Sequence, residues 1–509
     1  MRRVIRLVVC AVMVIAICQP ATCSGQEGSE EGAYRTFTDS RGRTIQARVV
    51  RVQGDQVTIQ RRDGKQYTVP METFSSADQV FLRRSAPAKT AAAKTAHTRQ
   101  VEGRGRNWDR FRGPTGMGVA DSAGLPIEWS QSEGLVWKTA LPGAGASSPI
   151  TFGDRIYLTA YTGFFVPGEP GGSLEQLQRH LIALRLDDGR ILWDKAIPAK
   201  LPEEESIRDH GFAASSVAVD QDRIYVFFGK TGVFAFDHEG NQLWQADVGS
   251  RTNGWGSAAS PVLYKDLVFI NASVESESLV ALDRATGAEK WRVGGAGRPN
   301  AIREAWNTPL VVTADSGREE LVIPTAGTVY AFDPETGQPL WSCQTDIGWY
   351  MVPSVVAADG VVYCLGGRSG TAALAVRAGG SGDVTETHRL WTSQKGSNVS
   401  SPVFLDGHLY WAHESREIAY CVKAATGEVV YEQRLNRAGQ FYSSALLADG
   451  RLYYVTRAGK TFVMAAQPRF EQLAVNDLSD GGVFNASPAV AGQRLLIRSD
   501  KFLYCVGSK

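Results

Sequence analysis

The chain has 509 residues, a mass of 55.2 kDa and a formal net charge of +1 at pH 7. A balanced charge argues against a protein whose main partner is a polyanion such as nucleic acid, and the length exceeds what one small hydrophobic core holds. The composition therefore predicts either several domains or one large closed array of repeated units.

The N-terminus carries the pattern of a secretory signal. Three arginines within the first six residues precede an apolar run over 7–18, after which Pro20 and small residues follow. The run is too short to span a bilayer, so residues 1–23 are predicted to be a signal peptide that directs the chain to the periplasm or cell envelope. A lipid anchor at Cys23 is not expected, because the preceding residues match only half of the lipoprotein pattern.

Residues 35–84 are predicted to form a small antiparallel β-barrel, because short alternating runs are separated by Arg-Gly, Gly-Asp and Asp-Gly turns. The segments TFTD, VTI, DGKQYTVP and SSADQVFL closely resemble the first homology domain of the yeast Sla endocytic adaptor, copies of which occur in secreted bacterial proteins. The resemblance implies a barrel like the Src homology 3 domain and a module that binds peptides or proteins. The resemblance does not identify any residue of this chain that would contact a ligand.

Residues 85–107 are predicted to be a flexible basic linker. They are rich in Ala, Lys and Thr and lack apolar periodicity. A solvated tether is the simpler interpretation, and contact with anionic lipid, polysaccharide or nucleic acid is the alternative.

After the linker, a unit of about 45 residues recurs, each copy with four short strands separated by turns. The copies begin at Ser148, Ser216, Ser260, Thr308, Ser354, Ser401, Ser444 and Ser487. Four antiparallel strands in this length are typical of a propeller blade.

The third and fourth strands of each copy share a motif. It reads ALDRATGAEKW over 281–291 and AFDPETGQPLW over 331–341. The Gly provides the bend, the Asp or Thr bonds the turn backbone, and the aromatic residue packs against the neighbouring blade. These structural, blade-docking residues are Trp137, Trp193, Trp244, Trp291, Trp341 and Trp391, with Tyr431 as a weakened copy.

The two ends of the array complement each other. The last copy stops one strand short, and an unassigned fourth strand around Trp137 precedes the first copy. If that strand completes the last blade, no sheet edge stays open. Residues 108–509 are therefore predicted to form an all-β, eight-bladed β-propeller closed by an N-terminal strand.

The docking motif resembles that of the pyrroloquinoline-quinone (PQQ)-like propellers, a superfamily that holds quinoprotein alcohol dehydrogenases and the BamB outer-membrane assembly lipoproteins. NWDRFRGPTGMG, at the start of the array, looks most like secreted planctomycete-type members. The dehydrogenase branch implies PQQ stacked on two adjacent cysteines with calcium held by acidic and amide groups. This chain has no adjacent cysteine pair and no CxxCH haem motif. No cofactor is expected, and PQQ with calcium is the alternative.

Cysteine and histidine patterns indicate no catalytic or metal site. Three cysteines fall in the signal, and Cys343, Cys364, Cys421 and Cys505 lie in separate predicted strands. Buried free thiols are the first interpretation and one disulfide is the alternative. The seven histidines are scattered, which favours structural or solvated roles.

Loops from each fourth strand to the next first strand emerge at one end of the ring and are rich in aromatic and amide side chains. A funnel there suits a peptide, a glycan or a flat cofactor, although the same residues could simply plug the channel. The predicted ligand-binding residues are His210, Trp255, Arg303, Glu304, Trp306, Asn307, Trp349, Tyr350, Asn398, Phe441, Tyr442 and Asn485.

These observations predict a secreted envelope protein without a transmembrane segment after signal cleavage. Its expected function is that of a protein-binding and assembly scaffold similar to BamB, with envelope proteins as partners. A quinoprotein oxidoreductase and a glycan-binding propeller are the alternatives from other functional classes.

Overall fold

The computed structural model describes residues 34–39, 43–53, 56–75, 78–79, 82, 107–208, 210–367 and 370–508. The chain divides into two compact units, residues 1–100 and 101–509. The predicted signal peptide lies outside the described residues, as does the predicted linker apart from Asn107. Strands dominate both units, and the predicted all-β class is confirmed.

The N-terminal unit contains one antiparallel sheet in the order β1-β2-β3-β4. Its strands are β1 (Arg35–Thr38), β2 (Thr44–Gln53), β3 (Gln56–Arg61) and β4 (Gln66–Pro70). Asp78, only 4% exposed, accepts hydrogen bonds from Arg35 Nη2 (2.9 Å) and the Thr38 N–H (2.7 Å). The segment that follows the sheet is thereby tied back to its first strand.

Residues 107–508 begin with two strands that join sheets formed later in the chain, β5 (Val119–Ala120) and β6 (Leu135–Ala140). Sheet 1 contains β7 (Ile150–Phe152), β8 (Arg155–Thr162), β9 (Gln178–Arg185) and β10 (Ile191–Pro198). Sheet 2 contains β11 (Ala218–Val219), β12 (Ile224–Phe227), β13 (Val233–Phe236) and β14 (Gln242–Ala246). Sheet 3 contains β15 (Val262–Tyr264), β16 (Leu267–Ala272), β17 (Ser278–Asp283) and β18 (Glu289–Gly294), with a short helix over Ser273–Ser276. Sheet 4 contains β19 (Leu310–Thr313), β20 (Glu319–Thr325), β21 (Thr328–Phe332) and β22 (Pro339–Gln344).

The second half of this unit repeats the same order of strands. Sheet 5 contains β23 (Val356–Ala358), β24 (Val361–Leu365), β25 (Ala373–Arg377) and β27 (Arg389–Ser393). Between its last two strands, β26 (Gly382–Asp383) and a helix over Thr385–His388 are inserted. Sheet 6 contains β28 (Val403–Leu405), β29 (His408–Ala412), β30 (Ile418–Lys423) and β31 (Val429–Arg434). Sheet 7 contains β32 (Leu446–Ala448), β33 (Arg451–Val455), β34 (Lys460–Ala465) and β35 (Gln472–Asp477). Sheet 8 contains β36 (Ala489–Ala491), β37 (Arg494–Arg498) and β38 (Phe502–Val506).

Sheet 8 is completed by β6, which pairs antiparallel with β38. Leu503 lies opposite Thr139, and Cys505 lies opposite Trp137. A strand from the start of the unit therefore closes the sheet at its end, as the truncated last repeat predicted, and the outer edge of β38 is paired.

A ring of hydrogen bonds joins the starts of all eight sheets. At each start a Ser or Thr accepts a hydrogen bond from the backbone N–H of the equivalent residue in the preceding sheet, at 2.8–3.2 Å. The circuit returns from Ser487 to Ser148. The first strands therefore surround a common axis. The participants, called the hydroxyl ring below, are Ser148, Ser216, Ser260, Thr308, Ser354, Ser401, Ser444 and Ser487.

Neighbouring sheets are joined by the Trp and the Gly of the repeated motif. Trp244 Nε1 donates to the Arg284 carbonyl (3.0 Å) in the turn of the next sheet. A Cβ placed on Gly287 of that turn would lie 2.6 Å from the Trp244 ring. Gly287 therefore provides a positive φ of 74° and also a flat surface for the indole. The same carbonyl bond is made by Trp137, Trp193, Trp291 and Trp391.

Trp341 departs from this pattern. Its Nε1 donates to Glu320 Oε2 (2.6 Å) within its own sheet. The motif turn of the next sheet is replaced by the insertion that contains β26, which pairs with β22 beside Trp341. Glu320 is fully buried and also accepts from Arg318 Nε (2.7 Å). An internal carboxylate thus takes the place of the missing turn carbonyl.

The four described cysteines, Cys343, Cys364, Cys421 and Cys505, are free and buried. Burial raises the pKa of Cys343 to about 11 and that of Cys505 to about 12, so these thiols stay protonated. The search for helices long and apolar enough to cross a membrane finds none in the described ranges.

Candidate ligand-binding cavity

A cavity of about 410 Å³ opens at one end of the ring. Six consecutive connections, from the loop after β10 to the loop after β31, contribute to its wall. Because antiparallel strands alternate in direction, each first strand runs away from this end and each fourth strand returns to it. The lining residues are Arg208, His210, Trp255, Ala258, Trp306, Tyr350, Val352, Gly367, Asn398, Val399, His413, Glu414, Ser415, Arg416, Gln440 and Tyr442.

An aromatic cluster is centred on Tyr350. Its ring centroid lies 5.1 Å from that of Trp255, 5.7 Å from that of Trp306 and 5.1 Å from that of Trp349. Trp306 is fixed by a hydrogen bond from Nε1 to the Gly256 carbonyl (2.7 Å). The large indole of Trp349 is 41% exposed beside the cavity. The cluster offers aromatic surface held in a defined orientation.

Asn398 and Glu414 add polar groups to the wall next to Tyr350. Asn398 is 2% exposed and donates from Nδ2 to the Tyr350 hydroxyl (3.1 Å). Its Oδ1 is buried without a hydrogen-bond partner in the part of the chain that the structure describes. Glu414 Oε2 accepts from the Asn398 N–H (3.0 Å) and from Ser397 Oγ (3.3 Å).

The charged groups of the cavity carry both signs. The Arg208 guanidinium lies 4.7 Å from the centre of the Trp255 ring. His413 Nδ1 accepts from the Ser415 N–H (3.2 Å) and lies 3.1 Å from Glu414 Oε2. Burial lowers the pKa of His413, against the opposing effect of Glu414, so the imidazole is neutral at pH 7. Arg416, exposed at the rim, adds a second cation.

A buried carboxyl lies behind the cavity wall. Glu275, 2% exposed, accepts a hydrogen bond from Ser257 Oγ and shares a void of about 10 Å³ with Trp306 and Ala258. Burial raises the pKa of Glu275 to about 7. The group behind the aromatic wall is therefore close to half-protonated at neutral pH.

The structure brings six of the twelve predicted funnel residues to this cavity. They are His210, Trp255, Trp306, Tyr350, Asn398 and Tyr442.

The other six lie elsewhere, three of them as structural groups. Asn307 is 1% exposed and donates to the Pro324 and Met351 carbonyls (2.8 and 3.1 Å). Phe441 is 1% exposed and packs against Phe462 at 6.2 Å. The Glu304 backbone carbonyl accepts the Met351 N–H (2.7 Å), although the residue itself is exposed.

The remaining three are found at the surface or in a second cavity. Arg303 Nε donates to Glu277 Oε2 (2.7 Å), and Trp349 contacts Tyr350 from outside the lining. Asn485 lines a separate cavity of about 160 Å³ that also includes His210. Loop membership therefore predicts which end of the ring a residue occupies, but not where its side chain points.

Sequence reasoning missed ten lining residues. Five lie in the loops from fourth to first strands, namely Arg208, Ala258, Val352, Val399 and Gln440. The other five, Gly367 and residues 413–416, belong to turns between second and third strands, and these turns reach the same end of the ring. That alternation was available from the repeat alone and could have added them to the prediction.

The lining residues do not match the set that the resemblance implies for PQQ and calcium. The four described cysteines lie in strands of sheets 4, 5, 6 and 8, and none of them lines the cavity. Glu414 is the one acidic lining residue, and its Oε2 is already engaged by Asn398 and Ser397. A search of the described ranges for three or more clustered Cys, His, Asp or Glu finds no candidate metal site.

Solved structures with a similar fold include a europium-containing methanol dehydrogenase, with a TM-score of 0.57, 11% identity, and coverage of 79% of this chain and 98% of that chain. The quinohemoprotein alcohol dehydrogenase from Comamonas testosteroni has a TM-score of 0.56 and 12% identity, covering 80% of this chain and 81% of that one. BamB from Moraxella catarrhalis has 15% identity and a TM-score of 0.49, and the match covers 73% of this chain and 98% of that one. No curated protein matches the chain.

These similarities show the fold of the larger unit, which is a β-propeller. A family model described as "Outer membrane protein assembly factor BamB" matches residues 178–433 and 359–492, together more than half of the chain. The protein belongs to this family.

Proposed function

We propose that this protein is a secreted scaffold of the cell envelope whose cavity holds a segment of a partner protein. The observation that carries the proposal is the cavity of about 410 Å³ itself, whose wall holds the oriented aromatic rings of Trp255, Trp306 and Tyr350. Aromatic anchors that surround a desolvated pocket are typical of binding hot spots.

A peptide fits the chemistry of the wall. Apolar side chains of the peptide would lie against Trp255 and Trp306. The guanidinium of Arg208, already placed over Trp255, would donate to peptide carbonyls. The sugar ring of a glycan also stacks on aromatic faces, and the experiment below separates these two ligands.

The larger arrangement supports a scaffold. We take the eight sheets joined by the hydroxyl ring as eight propeller blades, and residues 35–84 as a small Sla-type barrel. The tether that the sequence predicts over 85–107 would give two binding modules a high effective concentration for one partner complex. The signal-like residues 1–23 and the family description, which names outer membrane assembly, support a place in the periplasm or envelope.

The test uses the full mature chain with a photoreactive amino acid at position 349. Irradiation in envelope extracts, followed by mass spectrometry of crosslinked peptides, is expected to return one reproducible partner segment. Trp306→Ala should weaken binding of that synthetic segment at least tenfold. Leu243→Ala, which changes an apolar side chain 47% exposed on strand β14, is the matched control and should bind as the parent does.

Three results would overturn the proposal. One is equal binding of the segment by the parent and Trp306→Ala proteins. Another is selective capture on a glycan array that Trp306→Ala abolishes, which would make the cavity a sugar site. The third is dye reduction with an alcohol after addition of PQQ and calcium, which would assign an oxidoreductase activity.

A further inference from the structure

The end of the ring opposite the cavity is crossed by residues 107–120, called the strap below. The Val219 N–H of sheet 2 donates to the Asp109 carbonyl, and the Leu447 N–H of sheet 7 donates to the Gly118 carbonyl, both at 2.8 Å. Strand β5 then pairs parallel with β32. These contacts lie near the turns between first and second strands, so the strap covers the far end of the axis.

The strap holds a buried cation, Arg112. The residue is 2% exposed, and its Nη2 donates to the Met117 carbonyl (2.9 Å) and to the Pro402 carbonyl of sheet 6. Its Nε and Nη1 are buried and have no hydrogen-bond partner among the described residues. Three N–H groups are thus unsatisfied, which is costly for a neutral donor and more so for a charged one.

No protein carboxylate compensates this charge. Within the described residues of the larger unit, the buried side-chain carboxylates of Glu203, Glu275 and Glu320 bind Arg179, Ser257 and the pair Arg318 and Trp341, respectively. Asp109 in the strap also has a buried Oδ1, but it does not affect the pKa of Arg112. Burial alone lowers the pKa of Arg112 to about 9, without an opposing effect from an acidic neighbour. The guanidinium is still protonated at pH 7, so the fold contains an isolated positive charge.

The hydroxyl ring lies next to the Arg112 contact with sheet 6, because Pro402 directly follows the ring member Ser401. Each member of the hydroxyl ring uses its oxygen to accept a backbone N–H. None of the eight hydroxyl protons has a protein acceptor in the described part of the chain. An axis lined by hydroxyl protons and ended by a guanidinium favours a negative ligand.

The backbone of the strap is strained where it places this side chain. Arg112 has a φ of 63°, a left-handed conformation that is unfavourable for a residue with a Cβ. A Cβ on Gly118 would lie 3.0 Å from Arg112 Nη2 and 2.7 Å from the Ala445 carbonyl oxygen. The strap is therefore shaped around the guanidinium, and strain of this kind is found where a position has a specific role.

We propose that a small inorganic anion of halide size binds on the ring axis, against Nε and Nη1 of Arg112. Water would satisfy the N–H groups but leave the charge uncompensated, whereas a monovalent anion does both. The bound anion joins the strap to the ring and stabilises the closed end of the propeller.

Crystals of the full mature chain, prepared without chloride and soaked in bromide, test the position of the anion. An anomalous peak is expected within hydrogen-bonding distance of Arg112 Nε and Nη1. The absence of a peak there overturns the proposal, because water would then be the only compensation.

Thermal unfolding tests whether the anion binds in solution. At constant ionic strength, replacing gluconate by chloride should raise the melting temperature of the parent in a saturable way. Arg112→Met should remove this dependence. Arg110→Met should retain it, because Arg110 lies in the same strap but already donates to the Gly113 and Pro114 carbonyls (3.3 and 2.7 Å).

The two measurements together separate a real site from binding at crystal concentration only. A bromide peak with a chloride-independent melting temperature overturns the proposal, as does equal chloride dependence in both variants. If Arg112→Met does not fold, the saturable chloride response of the parent and the bromide peak decide the question.

Discussion

Tryptophan serves two different purposes in the joints between sheets and in the cavity. In a joint, Trp244 covers Gly287 of the next sheet and gives its N–H to that sheet's turn, so the ring has no free face for a ligand. At the cavity, Trp255 and Trp306 line the wall beside Tyr350, Trp349 contacts Tyr350 from outside the lining, and the cluster has an open side. The group next to each indole therefore determines its role. A glycine turn covers the face of the indole, whereas a cavity leaves that face accessible to a ligand.

The largest effect is expected from breaking a joint. Trp244 is 8% exposed, and Trp244→Ala removes both its ring packing and its hydrogen bond. We expect a loss of about 3–5 kcal/mol in the free energy of unfolding, measured by urea titration. Trp244→Phe keeps most of the packing and should lose clearly less. Equal losses for the two variants would show that the hydrogen bond, not the ring, holds the joint.

A glycine comparison isolates the contact between ring and turn. Gly287 and Gly317 have φ of 74° and 86°, but a Cβ would touch Trp244 only at Gly287 and nothing within 4 Å at Gly317. Gly287→Ala should cost roughly 3 kcal/mol from strain and overpacking, and Gly317→Ala about 1 kcal/mol from strain alone. Similar unfolding free energies for both variants would contradict the joint described above.

The carboxyl behind the cavity wall predicts a pH effect. The pKa of Glu275 is raised from 4.5 to about 7 in the folded chain, so its stabilising contribution is full below pH 4.5 and is lost as pH rises through 7. Compared with the parent, Glu275→Gln should gain roughly 2 kcal/mol between pH 5 and 7, measured by urea titration at each pH. A difference that does not change with pH would mean that Glu275 titrates normally.

The smallest effect on stability is expected at the rim of the cavity. Trp349 is 41% exposed, and Trp349→Ala should change the free energy of unfolding by less than about 0.5 kcal/mol. The comparison with Trp244→Ala is direct, because both variants remove an indole. A loss as large as that of Trp244→Ala would make the cavity aromatics structural plugs.

Much of the fold follows from repeated residues. The strand order, the pairing of β6 with β38 and the Gly-Trp joints all depend on local patterns that recur in each copy. The exception at Trp341 could not be predicted in the same way, since its partner Glu320 has no counterpart in the motif. The burial of Arg112 was not predicted, because it results from a segment that crosses several sheets at once.

The candidate site was predicted only in part for a related reason. The sequence places a loop at one end of the ring, but hydrogen bonds made after folding decide where each side chain points. Asn307 and Asn398 follow equivalent strands, yet Asn307 donates to two carbonyls in the interior and Asn398 lines the cavity. Such differences depend on the neighbouring blade and not on the local motif.

The closed circuit of hydroxyl contacts affects how the propeller comes apart. In an open solenoid, unfolding starts at a terminal repeat and peels inward. Here the last sheet contains a strand from the beginning of the same unit, so no sheet is terminal. Unfolding must first rupture a contact between two sheets that are both supported on their other sides, which favours a high kinetic barrier and resistance to proteases.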